Sequence, residues 1–168
     1  MTNDDRPALG HFPVARPMTT RWADNDMYGH LNNAVYYQLF DTAINAWIIE
    51  ATGVDATTSA AQGVVVESGC RYFSSVQFPE PVTVAIAVAR LGSSSVTYDL
   101  GLFAGTTDSD AAPPTIAARG RWVHVYVDTT TRRPVPIPDD IRALLATADI
   151  SGRTTTSDET DTRDRDDR

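Results

Sequence analysis

Between Asn33 and Gly53 large apolar residues return at steps of three and four, and Tyr36, Phe40, Ala43, Trp47 and Ala51 share one side of a helix. Asn32 or Asn33 can cap its start and Gly53 can end it. About 20 residues should then form a rod near 30 Å long at 1.5 Å per residue. It is the only long helix the pattern supports.

From Gly63 the period changes. Residues 63–78, 82–91, 95–103 and 115–128 are rich in Val, Ile, Thr, Tyr and Phe, and in 82–88 large apolar side chains alternate with small ones. That alternation suits a strand lying between a packed face and a less crowded one. Pro79-Glu80-Pro81 and Gly92-Ser93-Ser94 read as tight connections, and 108–114 as a longer loop. Residues 17–22 are a candidate first strand, and 139–148 a short closing helix.

The order strand, long helix, four strands predicts an α+β domain with an antiparallel five-stranded sheet wrapped around one central helix. Residues 1–16 lack periodicity and are expected to form a loose lead-in to a domain at 17–150. Residues 151–168 contain no apolar side chain, so burial cannot offset the entropy of ordering them, and a disordered polar tail is expected.

Composition narrows the function classes. With 168 residues, 42% hydrophobic and 21% charged, the chain fits one globular domain. A net charge of −8 argues against a nucleic-acid partner, which requires a clustered basic surface. All 14 basic residues are arginine, which excludes a lysine nucleophile or Schiff base. No apolar run approaches the roughly 20 residues of a membrane span, and the first residues are acidic rather than basic then apolar. A cytoplasmic protein with no membrane association is expected. One cysteine, Cys70, and three scattered histidines offer neither a disulfide nor a metal-ligand spacing, so no metal is expected.

The densest cluster of reactive side chains is Arg21-Trp22-Ala23-Asp24-Asn25-Asp26-Met27-Tyr28-Gly29-His30-Leu31-Asn32-Asn33, just ahead of the long helix. A helix start offers unpaired N–H groups and partial positive charge, which can hold a carbonyl oxygen as it becomes negative. A carboxylate beside it can attack the carbonyl or activate water. Gly29 would let the backbone approach a substrate closely. Two aspartates and two asparagines in such a turn also serve as ordinary capping and turn residues.

The pattern Asp-x-Asp-x-x-Gly-His-x-Asn-Asn followed by an aromatic-rich helix resembles the signature of the 4-hydroxybenzoyl-CoA thioesterase-like branch of the hotdog-fold thioesterase superfamily. The resemblance runs from about Met18 to Val127 and takes in Val64-Val65-Val66-Glu67-Ser68, Arg71-Tyr72 and Leu91-Gly92-Ser93-Ser94-Ser95-Val96-Thr97-Tyr98. It implies a hotdog fold, hydrolysis of an acyl thioester of coenzyme A or of acyl-carrier protein, and a homodimer or dimer of dimers with sites between subunits. The second aspartate of the pair carries the chemistry in that family, and it matches Asp26. The 4-hydroxybenzoyl-CoA enzyme has an apolar, aromatic-containing stretch where this chain has His30-Leu31-Asn32-Asn33, so the acyl group is left open. No cofactor is expected, because coenzyme A would enter as part of the substrate.

The catalytic candidates are Asp26, His30 and Asn33, and the candidates for substrate contact are Tyr28, Gly29, Asn32, Glu67 and Ser94. Asp24 reads as a turn or surface residue, and Asn33 as a helix cap, a substrate contact or both. Glu67 lies among valines on a strand, facing solvent or a partner's site. Tyr36, Phe40 and Trp47 read as core, and Cys70 as a small packed residue. Two other functions fit the same fold. A hydroxyacyl-thioester dehydratase would rely on a histidine paired with an acid, and an acyl-CoA-binding module would need no catalysis at all.

Overall fold

The computed structural model describes residues 6–105 and 112–152. Most of the expected long loop at 108–114 and of the tail at 151–168 falls outside the described residues.

The long helix α1 spans Asn33–Thr52 and buries Tyr36, Leu39, Phe40, Ala43, Ile44, Trp47 and Ile48 along one face. Asn32 caps it, its side chain accepting the Ala34 N–H at 2.9 Å. It stops at Gly53, whose φ of 69° belongs to the left-handed region that glycine enters freely.

Five strands follow the expected order around it: β1 (Val14–Met18), β2 (Ala61–Tyr72), β3 (Val82–Leu91), β4 (Ser95–Ala104) and β5 (Thr115–Asp128). They form one antiparallel sheet ordered β1-β3-β4-β5-β2, so β1 and β2 are its edges. Helix α2 (Asp139–Thr147) closes the chain and buries Ile141 and Leu145 in the core. This is the hotdog arrangement.

The alternation along β3 has a plain cause. Val84, Ile86 and Val88 join the core beneath α1, whereas Ala85 and Ala87 face a second cluster on the opposite side, with Phe12 and Phe103. The helix seats closely on β5 at Gly120, where a Cβ atom would lie 2.7 Å from the Phe40 ring. No helix among the described residues is long and apolar enough to cross a membrane.

Three expectations are corrected. The first strand runs over Val14–Met18 rather than 17–22, and Trp22–Asp24 is a single 3-10 turn. Pro17 sits inside the strand instead of opening it, which an edge position tolerates because proline's missing N–H need not meet a neighbour. The lead-in is not loose throughout: Leu9–His11 forms a 3-10 turn, and Phe12 is buried against Phe103, their rings 5.8 Å apart.

Strand β2 ends at Tyr72, not at residue 78. The N–H groups of Phe73 and Ser74 both point at the Ala117 oxygen, at 2.7 and 3.2 Å, and two consecutive donors on one acceptor cannot continue a ladder. The chain turns back across the head of α1. There the buried Val76 accepts the Leu31 N–H at 2.7 Å, and the Phe78 N–H donates to Asn25 Oδ1 at 3.2 Å. Those bonds bring segment 73–78 against the polar turn before α1.

Candidate active site

The turn before α1 closes on itself through the main chain of Asp26, whose N–H donates to the His30 oxygen at 2.8 Å and whose carbonyl accepts the Gly29 N–H at 3.0 Å. Gly29 has φ of 79°, a left-handed conformation that side chains with a Cβ rarely adopt. Within this turn the half-buried Asp26 side chain points Oδ1 at the N–H groups of Tyr28 (2.8 Å) and His30 (3.3 Å). Among the described residues nothing donates to its other oxygen, Oδ2. One carboxylate oxygen is thus anchored by the backbone while the other is available to a substrate.

Asp26, His30 and Asn33 line one cavity of about 380 Å³, together with Leu31, Tyr36 and the segment Tyr72 to Ser75. Its far wall is aromatic. The Tyr36 and Tyr72 rings meet edge-on with centroids 5.0 Å apart, and the Tyr72 hydroxyl donates to the Asn33 main-chain oxygen at 3.2 Å. Burial, then the neighbouring Cys70, pushes the Tyr72 phenol well above its ordinary pKa, so it stays protonated and serves as a donor. Asn33, at the head of α1, lines this cavity, and Asn32 makes the cap.

Asp24 sits in a turn, the first of its two expected readings. It is buried, not a surface residue, and its carboxylate takes a fork of hydrogen bonds from Arg21: the guanidinium Nη2 at 2.7 Å and the main-chain N–H at 2.7 Å. Its main-chain oxygen accepts the Asn32 N–H at 2.9 Å. Those Arg21 bonds hold its carboxyl below the usual carboxylate range despite burial. Two residues apart, Asp24 faces inward and fixes the turn, while Asp26 faces the cavity.

The remaining candidates scatter. Tyr28 and Gly29 lie in the same turn but are exposed, and neither lines the cavity. Trp22, Met27 and Tyr28 together leave a strongly exposed apolar fringe beside it. Glu67 is exposed on β2 and pairs with Arg121 of β5, and Ser94 lies in the β3–β4 turn, where its main-chain oxygen accepts the Tyr126 N–H at 2.7 Å. Neither Glu67 nor Ser94 reaches the Asp26 cavity within one chain. Cys70 is half-buried and its thiol is raised by that burial, which suits a packed residue rather than a nucleophile.

The sequence profile of the thioesterase-like superfamily matches residues 20–145, a stretch that holds α1, strands β2 to β5 and this cavity. The chain belongs to that superfamily. The PA5185 protein of Pseudomonas aeruginosa, whose crystal structure is known, is similar at 43% identity, with a TM-score of 0.79 over 86% of this chain and 96% of that one. The PA2801 protein of the same organism, described as a proposed thioesterase, is 32% identical, with a TM-score of 0.70 over 80% and 98% of the two chains. A thioesterase of Thermus thermophilus, solved in complex with coenzyme A and zinc, is 25% identical, with a TM-score of 0.64 over 80% and 98%. No curated protein matches the chain.

The cavity also includes residues that the motif did not mark. Tyr72, Ser74 and Ser75 were not singled out as site residues, and they follow Asp26 by more than 40 positions. The one signal near them was the Arg71-Tyr72 pair, which belongs to the family resemblance. Among the described residues no cluster of three metal-binding side chains occurs.

Proposed function

We propose that this thioesterase-like chain hydrolyses acyl thioesters, releasing a carboxylic acid and a free thiol, with coenzyme A as the foremost thiol and acyl-carrier protein as the alternative carrier. The observation that carries this reading is the Asp26 carboxylate on the wall of the cavity at the head of α1, with Oδ1 held by two backbone N–H groups and Oδ2 given no donor among the described residues. The coenzyme A held by the Thermus thermophilus relative supports the choice of thiol.

The chemistry follows from that placement. Oδ2 either attacks the thioester carbon, expelling the thiolate and leaving an anhydride that water cleaves, or takes a proton from a water that attacks the same carbon. In both routes the carbonyl oxygen becomes negative, and the positive end of α1 would stabilise it. His30 and Asn33, on the same cavity, would orient water or the thioester. No cofactor is required, because the coenzyme enters with the substrate.

Sites of this kind would be completed by a second copy. The 12-residue β2 is an edge strand whose Val65 and Val66 are exposed, and an unpaired edge of that length favours pairing with its own copy. Sedimentation should show a homodimer or a dimer of dimers, and a stable, active monomer would contradict it.

The deciding measurement is thiol release across short, long and aromatic acyl-CoAs. Steady release from at least one saturated acyl-CoA supports hydrolysis. His30 beside Asp26 also fits a hydroxyacyl-thioester dehydratase, which would form an enoyl thioester from a 3-hydroxyacyl substrate without releasing thiol. Failure of every thioester to yield thiol would overturn the hydrolytic reading.

A further inference from the structure

A second cavity, of about 480 Å³, crosses β2, β5, β4 and β3, and none of the residues lining it lines the Asp26 cavity. It lies on the sheet face turned away from α1. Ala118 and Trp122 of β5 belong to the core, so Arg119 and Arg121, in the alternate positions, stand on the outer face. Arg71 of β2 pairs directly opposite Arg119, and Gly69 opposite Arg121. Three corners of a rectangle of roughly 5 by 7 Å are therefore arginine, and the fourth is glycine.

That arrangement asks for a reason. Like charges directly opposite each other on paired strands destabilise a sheet, and Arg71 and Arg119 are such a pair in a chain whose net charge is −8. Asp99, itself buried, fixes the Arg119 guanidinium by accepting Nε and Nη2 at 2.8 Å each, and His11 Nε2 lies 3.3 Å from the same carboxylate. Arg121 is held far more loosely. It pairs with Glu67, but the two side chains are 54% and 61% exposed, and an exposed pair contributes at most about 1 kcal/mol. An arriving anion can displace it. The glycine corner is open: a Cβ at Gly69 would meet no atom within 4 Å apart from its chain neighbours.

Charge and shape select the ligand. A guanidinium has five N–H donors and a forked carboxylate engages two, so Arg119 can turn further donors to the dip over Gly69 while it keeps Asp99. A carboxylate would bring two oxygens in one plane. A phosphoryl group brings up to two negative charges and three outward oxygens, one for each arginine. We propose that the outer face of β2 and β5 is a binding site for a phosphate-bearing ligand, its phosphoryl group seated over Gly69 between Arg71, Arg119 and Arg121. The phosphate arrives either free or on a thiol carrier that also reaches the Asp26 cavity, which Tyr72, next to Arg71, lines. The site would bind whether or not Asp26 cleaves thioesters.

The test is a calorimetric titration of the full chain with inorganic pyrophosphate at low ionic strength. Wild type should bind it saturably, and Arg71→Gln and Arg121→Gln should each bind at least about tenfold more weakly, the scale of one hydrogen bond to a charged group. Gly69→Asp should abolish binding by placing a carboxylate in the open corner, while Arg133→Gln, which removes an exposed arginine elsewhere, should match wild type. Competition separates the two sources. Displacement of pyrophosphate by coenzyme A but not by pantetheine, which lacks its phosphates, assigns the site to the carrier, and no displacement by either assigns it to a free phosphate compound. Absence of saturable binding to wild type overturns the proposal. So does an affinity that Arg71→Gln and Arg121→Gln leave unchanged, and those two variants decide alone if Gly69→Asp fails to fold.

Discussion

The hydroxyl of Tyr72, the last residue of β2, donates to the main-chain oxygen of Asn33, the first residue of α1, at 3.2 Å. The bond joins two residues that line the Asp26 cavity and ties its aromatic wall to the helix head. Tyr72 is partly exposed, but desolvation of its hydroxyl and the neighbouring Cys70 raise the phenol, so it remains a donor across the ordinary working range of pH.

Replacing Tyr72 by phenylalanine keeps the ring against Tyr36 and deletes that donor. A neutral hydrogen bond contributes about 1 kcal/mol, which for a domain of this size corresponds to a fall in Tm of about 3 °C. The cavity wall should loosen, raising KM for an acyl thioester while kcat stays within about twofold, as expected for lost uniform binding. A collapse of kcat at unchanged KM would instead put the hydroxyl on the reacting atoms.

Local pattern made some of this legible and left the rest dark. The apolar period of α1 and the alternation of β3 record burial directly, so Tyr36, Phe40 and Val84 could be placed inward from spacing alone. Asp26, His30 and Asn33 share a cavity because they flank one turn and one helix start, a short-range relation that a motif captures. The first strand was misplaced because Pro17 reads as a boundary, and whether a proline sits on a sheet edge depends on strand order. The end of β2 was missed because the convergence of Phe73 and Ser74 on Ala117 involves a strand more than 40 residues away. Asp24 read as a turn or surface residue; it is the turn residue, and its spacing of three from Arg21 was a signal for the pair that fixes it inside.

Gly120 tests how α1 is seated. A Cβ at this position would lie 2.7 Å from the Phe40 ring, which is itself completely buried, so Gly120→Ala should destabilise by about 1–3 kcal/mol, the usual range for overpacking. Phe40→Leu in the same chain should recover part of that loss by making room. Denaturant unfolding of the two single variants and the double variant checks it, and additive losses would show that the two residues do not meet.

Asp24→Asn should lower Tm at neutral pH while the surviving fold keeps its kcat, because the carboxylate anchors the turn through Arg21 and does not reach the cavity. The pH dependence has a definite sign. The folded-state pKa of Asp24 is depressed, chiefly by its side-chain bonds to Arg21, so its contribution is present above the unfolded carboxylate value and is lost as the pH falls through the folded one. The Tm gap between wild type and Asp24→Asn should therefore be widest near neutrality and narrow in acid below the ordinary carboxylate range. A gap that does not change with pH would mean that the variant acts through shape rather than charge.

Asp26→Asn addresses the chemistry itself. The amide keeps an oxygen able to accept the Tyr28 and His30 N–H groups, so the turn should survive, but it can neither attack a thioester nor take a proton from water. With an acyl-CoA that the wild type cleaves, kcat should fall by at least about a hundredfold, the lower range for a lost general base, while KM changes little. His30→Ala should cost less, because its proposed part is to orient water or substrate from the same cavity. Asp24→Asn provides the comparison, since it perturbs the same turn without touching the cavity. Retention of most turnover by Asp26→Asn, alongside its loss in Asp24→Asn or Glu67→Gln, would show that a different carboxylate does the work. Loss of turnover in Asp26→Asn with an unchanged melting temperature would leave the open carboxylate oxygen as the group that was removed.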